Sequence, residues 1–350
     1  MAESSNATIP CLIAHRGAPT RYPENSLAGY KAVLNMAMLY PDLKTFIEVD
    51  VRTTRDEVAI ALHDKHIDRT LHGYGICYQQ DWPQLRDLKC KSASHAFHDA
   101  PLNFSQLKHE RESAAPLWEI APATASGPGD YRMATIEELL ELTRLTNKYL
   151  MKVGYPVGVC LDLKAPEILP TLAKTLKRFA AEHANAVVPI IGLGIETRVS
   201  KRDMQHFWKA LSYEAQRFFY ETPELVSEVI HQTNLRTNTG PGFSRQVASA
   251  VSSALYNMVT PWRLIGNHAM LENANMLVKG NHHCLTSMED VRAAAKRQDL
   301  IWVDRVWDSL LTLDGMRRAG ELPPASWTAT IAAERMPKNP AAQVKATRLV

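Results

Sequence analysis

The first half of this chain contains the stretch Phe46-Ile47-Glu48-Val49-Asp50-Val51, in which two acids interrupt an apolar run. Its apolar residues predict a buried strand, and burial on both faces is typical of a parallel sheet. Side chains alternate along a strand, so Glu48 and Asp50 point to one side and Val49 to the other. Two carboxylates held this close repel each other unless a cation lies between them. The stretch therefore indicates either a site for Ca²⁺ or Mg²⁺, which prefer oxygen ligands, or two solvent-facing acids.

Two further apolar runs predict strands that end at histidines. The run Pro10 to Ala14 is followed by His15-Arg16-Gly17, and the run that starts at Val58 ends at His63. In a parallel barrel the carboxyl ends of the strands form the active face. Two histidines at such ends can act as a general acid–base pair near neutral pH, and the alternative for either one is an ordinary hydrogen-bonded histidine.

A later strand, Val157 to Lys164, offers another acid and a cation. Asp162 and Lys164 are two residues apart, so both point to the same face. This pair is either part of the same site or a single salt-bridged strand end. Arg16, beside His15, has a guanidinium that can fork onto a phosphate, or bind a carbonyl or an acid.

The rest of the chain alternates between helical and strand patterns. Helices are predicted from Ile136 to Met151, Glu167 to Ala184 and Asp308 to Arg318, with strands between them, such as Ile301 to Val303. This rhythm, without a glycine-rich dinucleotide motif, favours an α/β fold of the (β/α)8 TIM-barrel type over an open sheet. We expect one barrel domain over residues 8–325 with a small insertion subdomain at about 72–132, and a frayed polar tail over 326–350.

Composition excludes several classes of protein. Hydrophobic residues make up 45% and charged residues 22%, as in a soluble globular protein. A net charge of +3 is too small for a nucleic-acid-binding footprint. No apolar run approaches the roughly 20 residues of a membrane-spanning helix, and the first residues lack a secretory signal pattern. The five cysteines are scattered without a CxxC motif, so we expect reduced thiols and a cytoplasmic location.

A series of motifs between Ile9 and about Leu88 resembles the signature of the glycerophosphodiester phosphodiesterase family. The motifs occur in the family's order and spacing: His15-Arg16-Gly17, Pro23-Glu24-Asn25-Ser26, Glu48-Val49-Asp50, Thr53 to Asp56, His63-Asp64 and Asp68-Arg69-Thr70. The resemblance continues more loosely through Val157 to Lys164. There, this chain has Asp162 where the family more often has Glu.

This resemblance implies a TIM barrel that hydrolyses phosphodiesters with one divalent metal ion, Ca²⁺ or Mg²⁺. By position, His15 and His63 would be the acid–base pair. Glu48, Asp50 and Asp162 would hold the metal. The substrate-binding residues would be Arg16 and Lys164 on the phosphate, with Trp302 a candidate for lining the pocket.

The predicted reaction releases glycerol 3-phosphate and an alcohol from a small glycerophosphodiester. Three alternatives stay open: a lysophospholipase D or sphingomyelinase D-like enzyme acting on lysolipids, a non-catalytic binding protein on the same barrel, and a metal-dependent sugar or nucleotide enzyme on an unrelated barrel. The alcohol head group, the preferred metal and the oligomeric state are not determined by the sequence. No nucleic-acid partner and no transmembrane segment are expected.

Overall fold

A computed structural model describes residues 11–91, 102, 107, 131–193, 201–219, 284–285, 287–296 and 300–322. The strands are β1 (Cys11–Ala14), β2 (Thr45–Thr53), β3 (Ala59–Ala61), β4 (Gly158–Leu163), β5 (Ile190–Leu193) and β6 (Leu300–Val303). The helices are α1 (Leu27–Leu39), α2 (Trp82–Leu85), α3 (Ile136–Leu150), α4 (Leu169–Glu182), α5 (Lys201–Ala210), α6 (Tyr213–Gln216), α7 (Met288–Ala295) and α8 (Val306–Arg318). Short 3₁₀ turns span Cys77–Gln79 and Pro166–Ile168.

Five of these strands form a parallel arc in the order β5-β4-β2-β1-β6, so the last described strand lies beside the first. Parallel bridges from Ile190 to Phe219 and from Leu285 to Val303 extend the arc at its two ends. Helices lie between the neighbouring parallel strands of this arc along the chain, as parallel pairing requires. A sheet whose first strand is flanked by the second and the last has the strand order of a barrel. The predicted α/β fold of the TIM-barrel type is therefore confirmed by the described strands.

The two faces of the sheet bury different side chains. Ile47, Val49 and Val51 of β2 belong to the hydrophobic core that packs against the helices. The alternate residues, Glu48 and Asp50, are equally buried but face the barrel interior. Burial on both faces explains why β2 is an almost continuous apolar run interrupted by only two acids.

Side chains in the barrel interior lie in layers set by the strand register. Phe46 pairs with Gly158 and with Ile13, and Ile13 pairs with Trp302, so these four residues share one layer. A Cβ on Gly158 would lie 2.2 Å from the Phe46 ring, so the ring occupies the space that the glycine leaves. The acids of β2 lie in the layers above this apolar floor, toward the carboxyl ends of the strands.

Gly158→Ala is expected to destabilise the protein by about 1–3 kcal/mol, because the added methyl group forces the Phe46 ring out of a packed layer. Gly315→Ala is the matched control. It lies in α8, where an added Cβ would have nothing within 4 Å, and alanine there is expected to stabilise the helix by up to about 1 kcal/mol. Urea unfolding of both variants measures the difference. Equal effects at the two glycines would contradict the packing of Phe46 over Gly158.

The helices and strands predicted for the second half are confirmed to within a few residues. One expectation about the first half was wrong. The strand expected after Val58 is β3, but it pairs antiparallel with β2. The link from Thr53 to Ala59 is too short for a parallel crossover, which needs about a dozen residues, so the chain turns back as a hairpin. His63 therefore does not end a parallel barrel strand.

The domain boundaries stay predictions. Most of the insertion expected at 72–132 and all of the tail expected at 326–350 lie outside the described residues. The longest described stretch of the insertion, residues 72–91, contains a 3₁₀ turn and α2, which pack around a small apolar cluster that includes Ile67, Leu71 and Leu85. Within the described part of the chain, no helix is both long and apolar enough to cross a membrane.

Candidate active site

Three carboxylates converge in the barrel interior. Asp50 of β2 lies directly beside Asp162 of β4, and Glu48 lies one layer below. One oxygen from each of Glu48, Asp50 and Asp162 lies within 4.8 Å of the other two. Asp162 reaches this group although its side chain is one methylene shorter than the glutamate more common in the family. The structure thus brings together the three acids predicted from the sequence.

Two cations balance part of this charge. Lys164 Nζ lies 3.0 Å from Asp50 Oδ1 and 2.6 Å from Asp162 Oδ2, and its side chain is only 5% exposed. Arg16 Nε lies 3.0 Å from Asp50 Oδ2, and its Nη1 donates to Glu24 Oε1 at 3.2 Å. Both residues predicted to bind phosphate therefore point their charged groups at carboxylates, and their phosphate role stays a prediction.

The loop after β1 donates hydrogen bonds to two of the carboxylates. Arg16 has a left-handed backbone with φ of 52°, and its N–H donates to Glu48 Oε2 at 2.7 Å. Asn25, with φ of 54°, donates from Nδ2 to Asp50 Oδ2 at 2.7 Å, and Ser26 caps α1. Non-glycine residues in this conformation are uncommon and cluster at functional sites.

The carboxylates differ in proton affinity because their partners differ. Burial, and then the neighbouring charge of Asp50, raises the pKa of Glu48 to about 8. Burial alone would also raise the pKa of Asp50, but Arg16 and Lys164 outweigh it and hold that pKa below its ordinary value. The protein's own cations therefore compensate the negative charge of Glu48 less than that of Asp50.

His15 lies at the edge of this cluster and is held by its own carboxylate. Its Nδ1 lies 2.8 Å from Asp304 Oδ1, just beyond β6. A carboxylate only accepts hydrogen bonds, so Nδ1 carries the proton and Nε2 is the remaining functional nitrogen. Burial lowers the pKa of His15, but its contacts with Cys284 and Asp304 and the charge of Glu48 outweigh this and raise it well above the ordinary value.

His63 reaches the cluster by a different route. Leu62 N donates to Asp50 O at 2.9 Å, so the hairpin returns the chain to the end of β2 and sets the next residue beside Asp50. His63 Nδ1 lies 2.6 Å from Asp64 Oδ1. Arg69 then binds Glu24 through two nitrogens, at 2.9 and 2.7 Å, and also contacts Asp64. The two histidines therefore show the same pattern, an Nδ1–carboxylate contact beside the acidic cluster.

The partners of the two histidines were not assigned from the sequence. Asp304 is far from His15 along the chain, and only the pairing of β1 with β6 brings them together. Asp64 could have been inferred, because it directly follows His63 in a motif already noted. Trp302 is buried in the layer with Ile13, beneath His15, and its predicted pocket-lining role stays a prediction.

The residues present fit a divalent metal ion. Three carboxylates converge within 4.8 Å, and carboxylate oxygens are the ligands that Ca²⁺ and Mg²⁺ prefer. Burial and the charge of Asp50 raise the pKa of Glu48, so a cation bound here would stabilise the charged form of that carboxyl. The described residues therefore contain an acidic group that could hold such an ion.

In EDTA, the free energy of unfolding is expected to fall as the pH rises from about 4.5 to about 8. Folded Glu48 retains a proton over this range that the unfolded chain has released, so rising pH favours unfolding. Glu48→Gln should remove this contribution and be more stable than the wild type at pH 8. Urea unfolding across the range measures it, with exposed Glu182→Gln as control. An unchanged slope in Glu48→Gln would contradict the raised pKa.

Sequence comparison connects this geometry to a family of known proteins. The profile of the glycerophosphoryl diester phosphodiesterase family matches residues 15–297, which is most of the chain. The chain belongs to this family. The match begins at His15 and includes all three acids of the cluster, so the resemblance inferred from the motifs is confirmed.

Individual relatives match over shorter stretches. A glycerophosphodiester phosphodiesterase of Bacillus subtilis is 34% identical over 171 residues, covering 49% of this chain and 45% of the relative. One from Caldanaerobacter subterraneus is 36% identical over 109 residues, covering 31% of this chain and 38% of the relative. The chain thus spans less than half the length of the first curated relatives it matches. A solved Oleispira antarctica phosphodiesterase in complex with its product sn-glycerol-3-phosphate is 13% identical with a TM-score of 0.47, covering 87% of this chain and 97% of that one.

Proposed function

We propose that this protein hydrolyses glycerophosphodiesters to glycerol 3-phosphate and an alcohol, using one divalent cation, Ca²⁺ or Mg²⁺. The observation that carries the proposal is the meeting of three carboxylates, two of them buried, with two carboxylate-supported histidines in a member of this family. The names of the relatives support the substrate class. The whole site lies at the carboxyl ends of the strands, where TIM-barrel enzymes carry out their chemistry.

Glu48, Asp50 and Asp162 would hold the cation. When bound, it supplies a Lewis acid that offsets the charge developing on the phosphoryl oxygens. Arg16 and Lys164 add fixed positive charge close to the same place, and a buried guanidinium and ammonium interact strongly with a phosphate because water is largely excluded. These two side chains therefore orient the diester against the acids.

His15 and His63 would move the protons. In each ring Nδ1 is engaged by a carboxylate, so Nε2 is the atom that exchanges a proton with the substrate. One histidine takes the proton of the attacking oxygen, and the other donates a proton to the leaving alkoxide, which is a poor leaving group without it. Asp304 and Asp64 hold the rings in the required tautomer, as a carboxylate does in a catalytic triad.

The test is release of glycerol 3-phosphate from glycerophosphocholine and glycerophosphoethanolamine in Mg²⁺, Ca²⁺ or EDTA. We expect turnover with one of the two cations and none in EDTA. Lysophosphatidylcholine is assayed in parallel. Choline release from that lipid alone would replace the proposal with a lysophospholipase D activity, and metal binding without turnover of any diester would replace it with a binding role.

A further inference from the structure

A second group of metal-ligand side chains lies beside the acidic cluster. A ring nitrogen of His15, the Sγ of Cys284 and a carboxylate oxygen of Asp304 all lie within 4.8 Å of one another. Cys284 forms a side-chain hydrogen bond with His15, and the adjoining Leu285 is anchored to β6 by its N–H, which donates to Trp302 O at 2.8 Å. The three donors come from the end of β1, the end of β6 and the segment that bridges to β6.

This donor set has a chemistry different from that of the carboxylates. A thiol, an imidazole and a carboxylate together match the ligands of Zn²⁺, whereas three carboxylates match Ca²⁺ or Mg²⁺. Tetrahedral Zn²⁺ bound at its usual ligand distances places donor atoms about 3.3–3.7 Å apart. Donors that already lie within 4.8 Å need only small side-chain movements to reach that spacing. Three protein ligands would leave a fourth position for water.

We propose that His15, Cys284 and Asp304 form a binding site for a thiophilic divalent cation of the Zn²⁺ class, separate from the carboxylate site. Its occupation uses a nitrogen of His15 and breaks the contact between that ring and Asp304. The next consequence rests on the proposed function, in which His15 transfers protons. Because a bound ion would occupy His15, it inhibits turnover. The two sites are close neighbours, since Glu48 is near enough to His15 to affect its pKa.

The test is a titration of the full-length protein with Co²⁺, a spectroscopic substitute for Zn²⁺, in the presence of excess Mg²⁺. A thiolate ligand produces an intense sulfur-to-cobalt charge-transfer band in the near ultraviolet, and an all-oxygen site does not. We expect one such band in the wild type, abolished in Cys284→Ser and bleached by added Zn²⁺. Cys90→Ser, which removes another half-buried thiol, is the matched control and should keep the band.

Zn²⁺ affinity follows from the same variants. Loss of the sulfur ligand should weaken binding by at least roughly 100-fold, measured by competition with a chromophoric chelator. Circular dichroism verifies that Cys284→Ser is folded. Absence of the band in the wild type, or its persistence in Cys284→Ser, would overturn the site. A Cys284-dependent band without inhibition of a Mg²⁺-activated enzyme would keep the site and overturn the role given to His15. No turnover in any condition would count against the proposed function alone.

Discussion

Replacement of His15 by alanine is expected to lower kcat for glycerophosphodiester hydrolysis by about 10²–10⁴-fold, the range that general acid–base catalysis supplies. His15 is held by Asp304 at 2.8 Å beside the acidic cluster, so its loss removes a positioned proton donor or acceptor without removing one of the three carboxylates. We therefore expect kcat to fall while Mg²⁺ still protects the variant against unfolding.

Steady-state kinetics with glycerophosphocholine and thermal unfolding with and without Mg²⁺ measure the two effects. His66→Ala is the control, because His66 is exposed on the segment between His63 and Arg69. Its kcat should match the wild type. A His15→Ala enzyme with a normal kcat would contradict the catalytic role, and one that has lost both activity and Mg²⁺ protection would point to a damaged fold or a shared ligand.

Asp50→Asn is expected to reduce the free energy of unfolding by about 3–5 kcal/mol, the cost of removing one partner from a buried ion-pair network. Asp50 is fully buried, and it binds Arg16 and Lys164 at 3.0 Å each and Asn25 at 2.7 Å. An amide of the same shape keeps the space filled but leaves Arg16 with only Glu24, and Lys164 with only Asp162, as a carboxylate partner among the described residues. The same change should abolish protection by Mg²⁺.

The matched control is Asp81→Asn, which breaks an exposed pair with Arg55 and should cost far less than Asp50→Asn. Because the pKa of Asp50 is lowered on folding, its stabilising contribution is present at neutral pH and is lost as the pH falls below the ordinary value of 3.8. The difference from the wild type should therefore shrink in acid. Equal effects of the two substitutions at pH 7 would contradict the buried network.

Neighbouring acids of the cluster are thus expected to behave in opposite ways. In EDTA and at pH 8, removing the charge of Glu48 should stabilise the protein, whereas removing the charge of Asp50 should destabilise it. Asp50 has two bound cations, while Glu48 has a backbone N–H and a pKa raised by burial and by Asp50. The same carboxylate chemistry gives opposite signs because the partners differ.

Local patterns in the sequence were sufficient to predict much of the fold and the residues of the acidic cluster. Alternation along β2 placed Glu48 and Asp50 on one face, and the same rule placed Asp162 and Lys164 together. These inferences hold because side-chain direction in a strand depends only on residue parity. The motif order was likewise sufficient to indicate the family.

Other features depend on how distant segments pair. The sequence suggested that His63 ends a parallel strand, but a short link makes β3 a hairpin, and the histidine reaches Asp50 from there. The sequence offered Arg16 a phosphate, a carbonyl or an acid as partner. The structure pairs it with the buried carboxylate of Asp50, and its phosphate role stays a prediction.

Three features can be inferred from the amino-acid order: which residues share a strand face, where helices alternate with strands, and which family the motifs resemble. Each of them depends on neighbours close along the chain. The contacts of Asp304 and Cys284 with His15 emerge only in the folded molecule. They arise from the pairing of β1 with β6, which sets the first and last described strands side by side and brings together residues almost 300 positions apart. Pairing between strands so distant leaves no local pattern, since the residues of one strand do not indicate which other strand lies beside it.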